Sequence, residues 1–193
     1  MSQGDDTTSG SGTEPPAVPG PAVAVLREAV REIESHVAES GWDQPARLYA
    51  LVPTSDLLAH EPALAAAMGL DEVAAAGSLT PVEQDDVPAD TPLEDVLQRI
   101  MWPAEVTGCA AVVERLVLPP SVDEQLPSDP RAAEAFAAEH PDREEVRIVA
   151  AASRDGTTYC ALRMRAHDDV LSVVEAPDLV PALLDLVRGT LEQ

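Results

Sequence analysis

The first periodic segment of the chain predicts a helix followed by a strand. Four apolar residues spaced by four, three and four positions form one face of an amphipathic helix that ends at Gly41. They are Leu26, Val30, Ile33 and Val37. Residues 47–52 are mostly apolar at successive positions, which predicts a central strand covered on both sides and stopped by Pro53.

The middle of the chain predicts a helical layer and a sheet edge. Residues 54–69 have a helical pattern that we expect to be broken near Pro62. Residues 79–84 predict a short edge strand, because Pro81 cannot donate a backbone hydrogen bond to a second neighbour.

A capping box predicts the next helix. Thr91 is expected to be the N-cap, with Pro92 at the first helical position and Glu94 reaching back from the third. Residues 107–118 are rich in Val and Leu, and they predict another strand that is mostly covered.

The C-terminal part predicts a short helix, a hairpin and a last helix. Asp129-Pro130 caps the short helix, and the last helix is expected to start near Pro177 and to tolerate Pro181 in its first turn. The order of elements contains few βαβ units and ends in an antiparallel pair. We therefore predict an α+β fold: a mixed or mainly antiparallel sheet of four to five strands with helices packed on it, and a C-terminal β-hairpin followed by a helix.

The register of the hairpin follows from face chemistry. A three-residue loop, Arg154-Asp155-Gly156 with Gly156 left-handed, places apolar residues opposite one another on one face, whereas a two-residue loop mixes apolar and charged residues. The side of the hairpin that carries Ile148 is then expected to pack against the core. Arg147 lies directly opposite Arg163 on the other face, which we interpret as the outer one.

Arginines at one end of this hairpin are the candidate functional site. Residues 142–165 hold five arginines and four acids, whereas the rest of the chain has seven arginines and thirty-one acids. Opposed like charges destabilise a sheet unless something negative lies between them. Either carboxylates of a neighbouring helix or loop neutralise the arginines, or the arginines bind an anion or an acidic partner. The candidate residues are Arg143, Arg147, Arg163 and Arg165.

Composition limits the location and the partners. Thirty-five acids against twelve arginines give a formal charge of −23, which opposes binding to nucleic acid and to anionic membranes. The N-terminus lacks the pattern of a signal peptide, and no run approaches the ~18 apolar residues of a membrane span. We therefore expect a cytoplasmic protein with no direct membrane insertion. Residues 1–20, rich in Gly, Ser, Thr and Pro, predict a disordered tail before a single domain of residues 21–193.

Other chemistry-bearing residues point to no reaction. Cys109 and Cys160 fall on predicted strands, where inert packing is expected. His60-Glu61 resembles the start of a zinc-protease motif, but Leu64 stands where the second His belongs, so no metal and no cofactor are predicted. Trp42, in the corner between the first helix and strand, is expected to lock that corner.

Two stretches resemble a known protein family. Glu39–Leu58, with its Gly-Trp-Asp-Gln-Pro and Arg-Leu-Tyr-Ala-Leu-Val-Pro runs, and His140–Val149 with the following hairpin are similar to an uncharacterised family of small acidic actinobacterial proteins. The absence of Lys and Asn, which have AT-rich codons, agrees with a high-GC bacterial source. The resemblance implies no activity, but it implies a genomic context near membrane proteins and therefore an accessory protein of a membrane-associated complex. Our leading hypothesis is a non-catalytic interaction or regulatory protein; the alternative is an enzyme or small-anion-binding protein that uses the hairpin arginines.

Overall fold

The computed structural model describes residues 20–70, 76–84, 87–88 and 91–192, in which one antiparallel sheet carries helices on both faces. The α-helices of this part are α1 (Pro21–Glu39), α2 (Thr54–His60), α3 (Pro62–Ala67), α4 (Leu93–Leu97), α5 (Pro130–Glu139) and α6 (Pro181–Gly189). The strands are β1 (Arg47–Pro53), β2 (Leu79–Gln84), β3 (Gly108–Val117), β4 (Glu144–Ser153), β5 (Thr158–Met164) and β6 (Val174–Ala176). Short 3-10 helices span Pro120–Gln125, Arg165–His167 and Val170–Ser172.

The sheet has six strands in the order β2-β1-β3-β4-β5-β6, and each neighbouring pair is antiparallel. The α+β class is confirmed, but the expected four to five strands are corrected to six. The additional strand β6 has only three residues, too few to show an alternating pattern, and it exists because β5 offers it a pairing edge. The predicted edge strand β2 occurs with the predicted bounds.

Both faces of the sheet are covered. On the face that we call the α6 face, Val113, Ile148 and Cys160 pack in one buried cluster with α4 and α6. On the opposite face, the α1 face, Val149 and Ala161 pack against the apolar stripe of α1. The interpretation of the Arg147 side of the hairpin as an outer face is therefore wrong, because α1 returns across β4 and β5 and covers it.

The hairpin has the predicted register. Arg147 pairs with Arg163, and Ile148 pairs with Leu162. Gly156 closes the three-residue loop with a φ of 87°, a conformation that a side chain would strain. Because each register step reverses the faces of a strand, this glycine helps to decide which residues meet α1 and which meet α6.

Two predicted helix starts differ from the structure. The capping box is absent at α4, because the helix begins at Leu93 with Pro92 at the N-cap, so Thr91 lies one residue too early and no side chain caps the helix. The Glu94 carboxylate accepts from Arg115 on β3. The last helix begins at Pro181 rather than near Pro177, since the preceding residues form β6 and a turn. By contrast, Asp129 caps α5 as predicted, accepting from the Ala132 amide at 3.0 Å.

The predicted tail, residues 1–20, lies outside the described residues except for Gly20, and the single-domain prediction for residues 21–193 stays a prediction. Among the described residues, no helix combines the length and apolar character that crossing a membrane requires.

Candidate functional site

Three charged residues form a row across the α1 face. Glu114 of β3 lies opposite Arg147 of β4, and Arg147 lies opposite Arg163 of β5. The pairing of two arginines is tolerated because each has a carboxylate of its own, one supplied by β3 and one by α1.

Arg147 is the most buried charged side chain of the row, with 1% of its surface exposed. Its Nε and Nη2 atoms donate to Glu114 Oε1 at 3.2 and 2.9 Å, and Nη2 also donates to the Gly41 carbonyl oxygen. Its guanidinium carbon lies 4.4 Å from the centre of the Trp42 ring, within cation–π range. Nη1 is buried without a hydrogen-bond partner among the described residues.

Arg163 is held by α1. Its Nε and Nη2 atoms donate to the two carboxylate oxygens of Glu34 at 2.5 and 2.8 Å, the bidentate geometry that suits a guanidinium. Nη1 donates to Asp168 Oδ1 at 3.1 Å. Glu34, the first cause, and Asp168 raise the pKa of Arg163 above its ordinary value. Both members of the Arg163–Glu34 pair are almost completely buried.

Arg165 lies at the surface of the same group. Its two Nη atoms donate to the two oxygens of Asp43 at 2.9 Å each, and Nη1 also donates to Glu145. Hydrogen bonding to Asp43 and then to Glu145 raises the pKa of Arg165. The fourth predicted residue, Arg143, is exposed, and its guanidinium contacts only the His140 carbonyl oxygen within the described ranges. The structure thus brings three of the four predicted arginines together and leaves Arg143 apart.

Trp42 connects the arginines to the corner between α1 and β1. The guanidinium carbon of Arg165 lies 5.7 Å from its ring centre, and its Nε1 donates to Asp168 Oδ2 at 2.9 Å. That hydrogen bond is the first cause of the lowered pKa of Asp168. These contacts agree with the expected role of Trp42 in locking the corner.

The corner itself requires unusual backbone conformations. Gly41 and Asp43 have φ angles of 75° and 65°, which Gly adopts freely and Asp tolerates better than most residues. Glu114 Oε2 accepts from the amides of Asp43 and Gln44 at 2.8 and 3.3 Å. The same carboxylate therefore holds both Arg147 and the corner loop.

We call this group the arginine cluster: Trp42, Arg147, Arg163 and Arg165 with the carboxylates of Glu34, Asp43, Glu114, Glu145 and Asp168. Five carboxylates surround three guanidiniums, so the group is negative overall. An additional anion would meet this local excess of negative charge.

Arg154, a further arginine of the hairpin, binds carbonyl groups instead of carboxylates. Its Nε donates to the Val106 carbonyl oxygen at 2.9 Å, and its Nη2 donates to those of Trp102 and Pro103 at 3.0 and 3.1 Å. Nη1 donates to the Leu191 carbonyl oxygen just beyond α6. Arg154 thus ties the hairpin loop to the end of the last helix.

The two thiols are buried in the α6 face, as the sequence predicts. Burial raises the pKa of Cys109 to about 11, while a contact with Thr190 Oγ1 at 3.2 Å acts in the opposite direction. Burial also raises the pKa of Cys160. Because the thiolate is the reactive form, both groups are poor nucleophiles at neutral pH. Within the ranges that the structure describes, no group of three or more His, Cys, Asp or Glu side chains could hold a metal ion.

A patch of exposed apolar residues adjoins β6, and sequence reasoning missed it. Val170, Leu171 and Val174, which we call the β6 patch, are 68%, 93% and 53% exposed. The turn before β6 is ordered, since Asp169 accepts from the Leu171 amide and the Ser172 hydroxyl at 2.8 and 2.7 Å. The patch is therefore presented by a fixed turn at one edge of the sheet.

Two carboxylates of the arginine cluster carried a sequence signal. Glu34 lies four residues after Val30 and therefore on the buried stripe of α1, and Glu114 interrupts an otherwise apolar strand. A charged residue at such a position indicates a buried partner. Asp168 gave no comparable signal, because it lies between two short 3-10 helices where no period indicates which side chains are buried.

A family model described as PPA1309-like protein matches residues 26–192 of the chain. Comparison with curated proteins and with solved structures finds no match.

Proposed function

The chain belongs to the PPA1309-like family, and we propose that it is a non-catalytic accessory protein that acts in the cytoplasm by binding another protein. The observation that carries this proposal is the β6 patch. Its three large apolar side chains lie within five positions of the chain, with Leu171 held in an ordered turn at 93% exposure, and grouped exposed apolar residues of this kind mark interaction sites.

The position of the patch favours an extended segment of the partner. β6 is the last strand of the sheet, and such an edge offers free backbone groups to a strand of another chain. The side of β6 that faces α1 is already occupied, because the Glu175 carboxylate accepts from Arg31 Nε on α1 through both oxygens at 2.9 Å. A complementary partner therefore supplies apolar side chains for the patch and, since this chain carries a charge of −23, basic residues beside them.

The alternative hypothesis is an enzyme or anion-binding protein that uses Arg143, Arg147, Arg163 and Arg165. The observation in its favour is the buried Arg147 Nη1 without a partner among the described residues. Against it stand the five carboxylates of the arginine cluster, which already bind its guanidiniums. We therefore expect calorimetric titration with phosphate to detect no saturable binding.

Affinity purification of the tagged full chain from its native host tests the proposal. The wild type should retain a partner at low and at high salt, because an apolar contact is not screened. L171D should lose that partner, whereas L64D, a matched change at an exposed leucine on α3, should retain it. The partner is then purified and its binding to the three chains is measured directly. Equal binding of L171D and wild type contradicts the role of the patch.

The cellular site of this interaction is part of the same proposal. We expect the partner to belong to a membrane-associated complex, as the family resemblance implies. Recovery of the partner in the membrane fraction, with this chain released from it by the L171D change, supports that expectation. A partner found only among soluble proteins contradicts it.

A further inference from the structure

A cavity of about 340 Å³ lies on the α6 face, away from the arginine cluster. Val113 and Ile148, which are paired across β3 and β4, line the sheet side of this α6 cavity. Val180, Leu183 and Leu186 line the helix side. Its volume is within the range of about 300–1,000 Å³ that small-molecule sites occupy.

The cavity exists because α6 has more apolar surface than the sheet covers. Leu184, Val187 and Leu191 are buried against the core. Leu183 and Leu186 lie one position earlier on the helix, and they are only half-buried because they face the cavity. An amphipathic helix that only packs on a sheet needs a narrower apolar stripe.

One ion pair borders this apolar lining. Arg115 lies two residues after Val113 on the same side of β3, and its Nη2 donates to Glu94 Oε1 at 2.7 Å. Both side chains are 42% exposed. A guanidinium has five N–H donors, and in the described part of the chain Arg115 uses its side chain only for Glu94. Arg115 can therefore receive a second carboxylate while Glu94 keeps its place.

We propose that the α6 cavity binds a small apolar molecule that carries one carboxylate. The apolar body contacts Val113, Ile148 and Leu183, and the carboxylate accepts hydrogen bonds from Arg115. The negative field of the chain weakens this binding little, because the Debye length at physiological ionic strength is about 8 Å and the Arg115 contact is direct. The site is separate from the β6 patch and does not depend on the proposed interaction with a protein.

Calorimetric titration of the full chain with octanoate, 1-octanol and octylamine tests the proposal. We expect octanoate to bind at least about tenfold more tightly than the alcohol and the amine, because only the carboxylate pairs with Arg115. In R115Q, the affinity for octanoate should fall about tenfold, to the level of the alcohol. R188Q is the matched control, since Arg188 is 44% exposed and its Nη2 donates to Asp185 at the same distance of 2.7 Å; it should bind octanoate like the wild type.

A second variant tests the cavity itself. Ala182 is exposed on α6 and borders the cavity, so A182F should occupy part of it and weaken octanoate and octanol alike. Melting curves establish that each variant is folded, and if R115Q does not fold, A182F decides. Three results overturn the proposal: no saturable binding of octanoate at millimolar concentration, tighter binding of octylamine than of octanoate, or an affinity for octanoate that folded R115Q or folded A182F leaves unchanged.

Discussion

The two faces of the β4–β5 hairpin bury different kinds of side chain, although successive residues of the same two strands supply both faces. On the α6 face, Ile148 and Cys160 are buried among aliphatic side chains. On the α1 face, Arg147 and Arg163 are equally buried but are held by carboxylates from β3 and α1. Apolar contacts tolerate many arrangements of similar volume, whereas a buried guanidinium is stable only where its carboxylate meets it. We infer that the buried ion pairs of the α1 face help to determine how α1 and the corner loop are placed, and that apolar packing on both faces supplies most of the net stability.

The largest expected effect comes from breaking the buried Arg163–Glu34 ion pair of the α1 face. R163M leaves the Glu34 carboxylate buried without its partner, which should lower the free energy of unfolding by about 3–5 kcal/mol. Urea denaturation monitored by circular dichroism measures the change. The matched surface variant R188M should change stability by less than about 0.5 kcal/mol. A loss in R163M as small as that of R188M would contradict the buried pair.

A double variant sharpens the comparison. E34L combined with R163M replaces the pair by apolar side chains, so its stability should return to within about 1–2 kcal/mol of the wild type. If the pair mainly determines placement, the contacts of Trp42 should loosen even though stability recovers, and indole fluorescence can detect this. Recovery of both stability and fluorescence would mean that the ion pair is dispensable for the position of α1.

The next effect concerns the α6 face. L184A removes a buried side chain between α6 and the sheet, and we expect a loss of about 2–5 kcal/mol from the lost contacts and the space left behind. E34L is expected to restore the stability lost in R163M, whereas no substitution of a charged residue should restore the stability lost in L184A. Urea denaturation again provides the measurement, and a loss below about 1 kcal/mol would show that α6 contributes little to the core.

A smaller effect concerns the three-residue loop that joins β4 to β5. G156A places a side chain at a φ of 87° and should cost about 1 kcal/mol, and a β-branched residue should cost more. Because the loop maintains the register, both faces should remain assembled in G156A. Thermal denaturation measures the cost, and an unchanged melting temperature would show that the loop relaxes without strain.

The smallest expected effect is the change in stability when acid protonates the carboxylates of the arginine cluster. The Trp42 indole lowers the pKa of Asp168, and Arg165 lowers that of Asp43. A carboxylate with a lowered pKa in the folded state adds stability above its unfolded pKa of about 3.9, and this contribution is lost as the pH falls through the folded value. Stability should therefore decrease below about pH 4. D168N should make that decrease shallower in urea denaturation series, and parallel curves would contradict the role of Asp168.

Local patterns predicted most of the elements and the hairpin register correctly. The register follows from one short loop and the alternation of its two strands, so Arg147 could be placed opposite Arg163 without any knowledge of the sheet. The predicted capping box at α4 is wrong because the helix begins one residue later, with Pro92 at the N-cap, and Glu94 contacts Arg115 on a strand that local patterns do not place beside it. β6 was missed because three residues carry no period.

The sequence by itself determined that the hairpin has one apolar and one arginine-bearing face, since period-two alternation and Gly156 are local properties. Only the tertiary structure decided what covers the arginines. Glu114 lies 33 positions before Arg147 and Glu34 lies 129 positions before Arg163, and no short-range rule pairs residues so far apart. The packing of α1 covers the arginine-bearing face, and each buried guanidinium there is stable because a carboxylate from a distant part of the chain meets it.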